Sequence, residues 1–307
     1  MNSSRYKYTE PCDSFKKQPN LNLEQSSSPR LRVFRLLSGT ASVTDTYSNK
    51  TYKFRRSYFH IPYKDNSRVS ARCVLDTFSE DDISLRDINN MFANNAANFN
   101  FFSKIEGEII RCLISIHKES YIDAFVHLYR IIECMTYATP LLYASKSKDY
   151  IKTYESLKSC FTNTNSGELE FFKTFVKNTF QNEDFIKLTI DLSLSSEEYE
   201  CDQDNLRKLI VKHSQLNGGY LFNGSPDDIE FEFDFLKFFS FLITLRNRFF
   251  HLLQGGWKEN ISRIDTEYPE LLFKAIINSG LNWTAIIIFE ILKLDIAKNS
   301  VDNEQVH

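Results

Sequence analysis

A chain of 307 residues, 42% apolar and 25% charged, has ordinary globular proportions and room for one large or two small domains, which excludes a collagenous or compositionally disordered chain. The net charge of −3 conceals an asymmetry: residues 1–75 carry 14 Lys/Arg against 5 Asp/Glu, and the remainder 23 against 35. That split predicts a basic N-terminal surface beside an acidic body, suited to binding a polyanion or to docking one part on the other.

Residues 1–30, rich in Ser, Asn, Gln and Pro, read as a flexible arm. Residues 31–80 read as a small basic β or α+β module. Leu31–Leu36 has β-type composition and closes at Gly39, and further strands are expected over Tyr52–Arg55 and Ser57–Ile61, with Pro62 ending the run. Residues 81–297 read as a helical domain, and 298–307 as a C-terminal tail. Ile109, Ile110, Leu113 and Ile116 follow helical spacing, as do Ile122, Phe125, Leu128, Tyr129, Ile132 and Met135. Ser120 is the expected cap of the second helix and Pro140 lies near its end. Further helices are expected at 147–161, 168–180 and 203–214, with a turn at Asn217-Gly218-Gly219. A long helix is expected from about Pro226 to Leu253, with Asp227 and Asp228 in its first turn and Gly255-Gly256 as its stop. Two more follow, one opening at Pro269 and the other capped by Asn282. The frequent Phe (27 residues) falls mostly in these helical segments and is expected in the core.

The six cysteines (Cys12, Cys73, Cys112, Cys134, Cys160, Cys201) are scattered without a C-x-x-C pair and read as free thiols. No His, Cys or carboxylate cluster has zinc or calcium spacing, so neither metal nor other cofactor is expected. The apolar run Ala285–Phe289 falls far short of the roughly 20 residues that span a bilayer, and no leader-like stretch follows Met1. The expectation is a cytoplasmic protein with no membrane partner.

The chemistry concentrates in Leu245-Arg246-Asn247-Arg248-Phe249-Phe250-His251-Leu252. At helical spacing Asn247 and His251 share a face, Arg246 reaches round from an offset position, and Arg248 stands three before His251. RNA supplies its own nucleophile, the ribose 2′-OH. What remains is a group to move protons, the role of His251, and a cation for the charge growing on the phosphoryl oxygens, the role of Arg246. Asn247 orients His251 or a backbone group. The product would be a 2′,3′-cyclic phosphate and a 5′-hydroxyl. The structural alternative has solvated arginines and a hydrogen-bonded core histidine.

Arg246-Asn247-Arg248-Phe249-Phe250-His251 resembles the R-N-x-x-x-H motif of HEPN-domain proteins, over a span of about residues 105–297. Leu128-Tyr129-Arg130-Ile131-Ile132-Glu133 is similar to a tyrosine- and glutamate-bearing helix of some prokaryotic members. The resemblance implies a mostly α, HEPN-like helical bundle behind a small basic region with short β-strands. It implies a metal-independent endoribonuclease of the antiphage-defence or toxin type that acts on RNA as a homodimer, with an antitoxin or regulatory partner protein. Arg246, His251 and Asn247 would be catalytic. Glu133, Tyr129 and Arg248 would support them, Glu133 by positioning Arg246 or His251. Lys53, Arg55 and Arg56, interleaved with Tyr52, Phe54 and Tyr58, are candidates for guiding RNA; the other reading is a strand with aromatics inward and basics outward. Other HEPN members bind nucleotides or partners without cutting, which gives the alternative of a non-catalytic module. A third reading is a helical scaffold that happens to bear the motif.

Overall fold

The computed structural model describes residues 5–59 (save 12, 17 and 19), 89, 92, 98–146, 149–162, 168–180, 183–194, 200–216, 219–250, 261 and 269–304. The chain is mostly helical with small antiparallel sheets, and it forms two compact units: Met1–Glu119 with Thr284–His307, and Ser120–Trp283.

In the first unit, β1 (Tyr6–Thr9) lies within the stretch expected to be a flexible arm. It pairs antiparallel with β2 (Ala41–Asp45), which pairs with β3 (Lys50–Phe54). Tyr8, Val43 and Tyr52 sit opposite one another and are buried; β1 and β3 alternate in burial, whereas the central β2 is buried on both faces. A one-turn helix, α1 (Asp13–Lys16), follows β1. Residues expected as a strand at Leu31–Leu36 instead form the helix α2 (Pro29–Leu37). The reason is local: Ser28 caps it, its Oγ accepting from the Leu31 amide at 3.3 Å, and Pro29 occupies the first turn, where its missing N–H is harmless. Gly39, at φ +69°, closes it, and a Cβ there would stand 2.5 Å from the Arg56 carbonyl.

Arg35 of α2 is completely buried, and all its N–H groups are used. They reach both Glu10 carboxylate oxygens (2.6 and 2.7 Å), the Leu21 and Thr40 carbonyls (2.6 Å each) and the Thr40 hydroxyl (2.7 Å), with the Phe15 ring 3.9 Å away. This network ties residues 10–21 to α2. The helix α3 (Phe99–His117) packs Phe102, Ile105, Ile109 and Leu113 inward at helical spacing, and Arg30 of α2 lies 5.2 Å from the Phe102 ring. Glu106 accepts from Tyr8 at 2.6 Å and from Arg32 at 3.3 Å, and burial holds its carboxyl above the usual range.

The second unit begins with α4 (Tyr121–Lys146), which carries Pro140 in its interior. The Ser120 hydroxyl donates to Asp123 at 2.7 Å, while the Tyr121 and Ile122 amides donate to the Glu270 carboxylate, the latter at 2.9 Å. The opening of α4 is therefore capped from another element. Next come α5 (Tyr150–Thr162), α6 (Glu168–Thr179), a short 3-10 turn (Asp184–Lys187), β4 (Thr189–Ser193) and α7 (Glu200–His213). The pair β5 (Gln215–Leu216) and β6 (Gly219–Tyr220) precedes β7 (Phe222–Asn223).

The long helix expected from Pro226 starts later. Asp228 accepts from the Ser225 amide in a turn, and Glu230–Asp234 is β8, between β4 and β7 in a three-stranded sheet. Phe231 and Phe233 point inward and Glu230 and Glu232 outward, a two-residue period that a helix would break. The helix α8 (Phe235–Phe250) follows directly. The two helices expected after it are one, α9 (Pro269–Glu304), in which Asn282 is a buried interior residue rather than a cap. Its Trp283 centres the core of this unit. The indole N–H donates to the Phe235 carbonyl at 2.9 Å, and the ring stacks on Phe239 (5.0 Å, 4°) and Phe235 (5.5 Å, 28°). Here the abundant Phe is core, as expected. Among the described residues Pro269–Leu292 is the helix long and apolar enough to cross a membrane, and 83% of its most apolar window is buried inside the protein.

Candidate functional site

The last two turns of α8 carry the motif as far as Phe250. Phe238, Phe239, Leu242 and Leu245 anchor the helix in the core, which leaves Arg246, Asn247, Arg248 and Phe249 half-buried at its end. The Arg246 guanidinium lies 4.7 Å from the centre of the Tyr129 ring, and its Nη1 donates to Asn247 Oδ1 at 3.0 Å. A cation over an aromatic face is held by the ring quadrupole without being neutralised, and the planar guanidinium keeps its edge for hydrogen bonds. Among the described residues no carboxylate pairs with it. Three residues singled out in the sequence, Arg246, Asn247 and Tyr129, thus meet.

The arrangement rests on a register between two antiparallel helix faces. Phe125 and Tyr129 stand one turn apart on α4, and Arg246 and Phe250 one turn apart on α8. Tyr129 meets Arg246, and Phe125 stacks on Phe250 with centroids 6.3 Å apart and planes at 6°. Phe249 and Phe273 complete the aromatic group: Phe249 lies 4.9 Å from Phe250 and 4.8 Å from Phe273, edge to face in both cases. Helical spacing marks Phe125 as core; its partnership with the motif needs the register, which no local pattern encodes.

Asn247 Oδ1 accepts from Arg246. His251 lies outside the described residues. Glu133 is half-buried one turn beyond Tyr129, and no described hydrogen bond or ion pair joins it to Arg246. The backbone carbonyl of Arg248 accepts from the Ile261 amide at 3.0 Å.

In the first unit Lys53 and Arg55 are exposed on and just beyond β3, whereas Tyr52, Phe54 and Tyr58 are buried. The strand has its basics outward and its aromatics inward, so these rings offer no stacking surface. Arg56 is half-buried with its backbone against Gly39. His60 lies outside the described residues; His117 packs edge-on to Tyr52 at 5.3 Å, and His213 is buried. Cys112 is buried and Cys134 half-buried, and among the described residues no three His, Cys, Asp or Glu side chains gather as a metal-ligand set.

Compared with family models, curated proteins and solved structures, the chain has no match in any of the three.

Proposed function

We propose that the second unit is an endoribonuclease of the HEPN type, acting without a metal ion and using Arg246, Asn247 and His251. The observation that carries this reading is the half-buried Arg246 guanidinium, held on the Tyr129 ring and by Asn247 with no carboxylate partner among the described residues. A half-buried cation with no carboxylate partner among the described residues is suited to a phosphodiester, whose charge rises as the reaction proceeds.

In the proposed reaction the ribose 2′-oxygen attacks the adjacent phosphorus and its proton passes to a base. The P–O5′ bond breaks and the departing 5′-oxygen takes up a proton. His251 is the proposed proton-transfer group, and Arg246 holds the phosphoryl oxygens. Tyr129 and Asn247 position Arg246; Glu133 and Arg248 are supporting neighbours in this reading. Lys53 and Arg55 on the outer face of the first sheet, with Arg56 beside them, would recruit RNA by phosphate pairing. The HEPN resemblance adds a cytoplasmic homodimer serving as an antiphage-defence effector or toxin, with an antitoxin or regulatory partner protein.

The test is incubation of the purified protein with total RNA and tRNA in EDTA, beside Arg246→Ala and His251→Ala, with product ends read by mass spectrometry. Cyclic-phosphate ends made only by the wild type are the expected result, and intact RNA throughout would count against it. A second reading, a non-catalytic nucleotide- or partner-binding module, draws on the same anion-ready Arg246 and needs no proton-transfer group. It predicts ligand-induced stabilisation without cleavage and tolerance of His251→Gln.

A further inference from the structure

The aromatic surface sought beside Lys53 and Arg55 is turned into the core, but an exposed ring stands elsewhere. Phe250 is 39% exposed at the end of α8, one turn from Arg246. An exposed apolar residue by itself needs no explanation. This one belongs to a packed aromatic group: the Phe125 ring lies near-parallel to it with centroids 6.3 Å apart, Phe249 is edge-on at 4.9 Å, and Phe273 stands at 6.3 Å. Its neighbour one turn back is the arginine that lacks a carboxylate partner among the described residues. An immobilised aromatic face and an unneutralised cation one turn apart on a helix together span about the size of one nucleotide, with a base for the ring and a phosphate for the guanidinium.

We propose that Phe250 is the base-stacking residue of the Arg246 site, which makes the site selective for an unpaired nucleotide in single-stranded RNA. A base within a duplex is already stacked on its neighbours and cannot lie on Phe250 without being extruded, which costs free energy. This inference rests on the reading of the site as one that binds RNA, and it specifies the substrate class.

The experiment separates the two by using a ligand that cannot be cut. A fluorescently labelled single-stranded oligonucleotide with 2′-deoxy sugars, which lacks the nucleophile, is titrated with full-length wild type, Phe250→Leu and Phe250→Trp. A hairpin duplex of matching composition is the control. Stacking predicts that Phe250→Leu weakens single-strand binding by roughly 5- to 150-fold, while Phe250→Trp preserves it and its added indole emission is quenched by the oligonucleotide. The duplex should bind the wild type more weakly than the single strand. Equal affinity of Phe250→Leu and wild type would overturn the proposal, as would equal binding of duplex and single strand, or binding to Phe250→Trp without quenching. RNA cleavage in EDTA is assayed in parallel. Phe250-dependent binding without cleavage removes the nuclease reading and leaves the stacking role standing. Cleavage that needs Arg246 but is indifferent to Phe250→Leu on single strands does the reverse.

Discussion

Arg246 lies with its guanidinium carbon 4.7 Å from the centre of the Tyr129 ring, so among the described residues the cation is supported by a neutral face rather than by a carboxylate. The two side chains come from helices more than a hundred residues apart in sequence. The support can be weakened without touching the charge. Tyr129→Phe keeps the ring and should leave RNA cleavage within about twofold of wild type. Tyr129→Leu removes the ring and should cost roughly 2- to 30-fold, the range of one cation–π contact. Arg246→Ala should lower cleavage by about 10²–10³, as expected when a donor to a developing oxyanion is lost. Arg246→Lys should recover little, because an ammonium lacks the planar fork and sits differently on the ring. Circular dichroism and thermal melts of all four variants should remain cooperative. An Arg246→Ala protein that fails to fold would make the residue structural.

Glu270, in the first turn of α9, accepts from the Tyr121 and Ile122 amides at the start of α4. Those amides have no partner within their own helix, and a carboxylate also complements the positive end of the helix dipole. Glu270→Ala should therefore cost about 1–2 kcal/mol. Glu270→Gln keeps an acceptor and should cost less. Hydrogen exchange gives the local readout: protection at Tyr121 and Ile122 should fall in Glu270→Ala before that of the remainder of α4.

Asp191 on β4 faces Glu232 on β8 across the sheet, with Glu230 near by. Partial burial of its carboxyl, reinforced by Glu232 and Glu230, raises its pKa above the ordinary aspartate value. The folded state then binds a proton more readily than the unfolded chain. The stability linked to this group is present below the unfolded pKa and is lost as pH rises through the folded one. Asp191→Asn removes that loss. It should raise the melting temperature at neutral pH relative to wild type, and the two curves should converge as pH falls below the aspartate range. A variant less stable than wild type at pH 7 would contradict the sign.

Several of these relationships were legible in the sequence, and the way others were missed is physically informative. The helices after residue 98 announce themselves because one apolar face repeats every three to four residues, as in Ile105, Ile109, Cys112 and Leu113. Glu230-Phe231-Glu232-Phe233-Asp234 alternates as plainly as a strand can, yet it abuts the Phe-rich α8 and was absorbed into it. At Leu31–Leu37 the core surrounds the helix on nearly every side, so no polar face marks the period. The Ser28-Pro29 start signal carried the information there. The α9 helix was split at Asn282, since a good cap residue is also tolerated in a helix interior when tertiary packing holds it. For the site, residue types and spacing on α8 brought Arg246 and Asn247 into view. The meeting of Phe125 with Phe250 and of Tyr129 with Arg246 depends on how two distant helices pack, which no local spacing specifies.

The Arg35–Glu10 pair offers the sharpest test of the first unit, because it decides whether residues 6–21 belong to the fold. Both carboxylate oxygens of Glu10 are within 2.7 Å of the guanidinium, and neither side chain is appreciably exposed. Removing one partner leaves a buried charge uncompensated, which costs about 3–5 kcal/mol, more than most substitutions. Glu10→Ala and Arg35→Ala should each fall in that range, measured by denaturant midpoint at constant m-value. The double variant should be less destabilised than the sum of the two, because removing the second partner also removes the orphaned charge left by the first. Arg35→Ala additionally frees Thr40 and the Leu21 carbonyl, so it should be the worse of the two single changes. If Glu10→Ala proves neutral, the contact contributes nothing to stability, and residues 6–10 are held by the β1–β2 pairing and the Tyr8–Glu106 hydrogen bond instead.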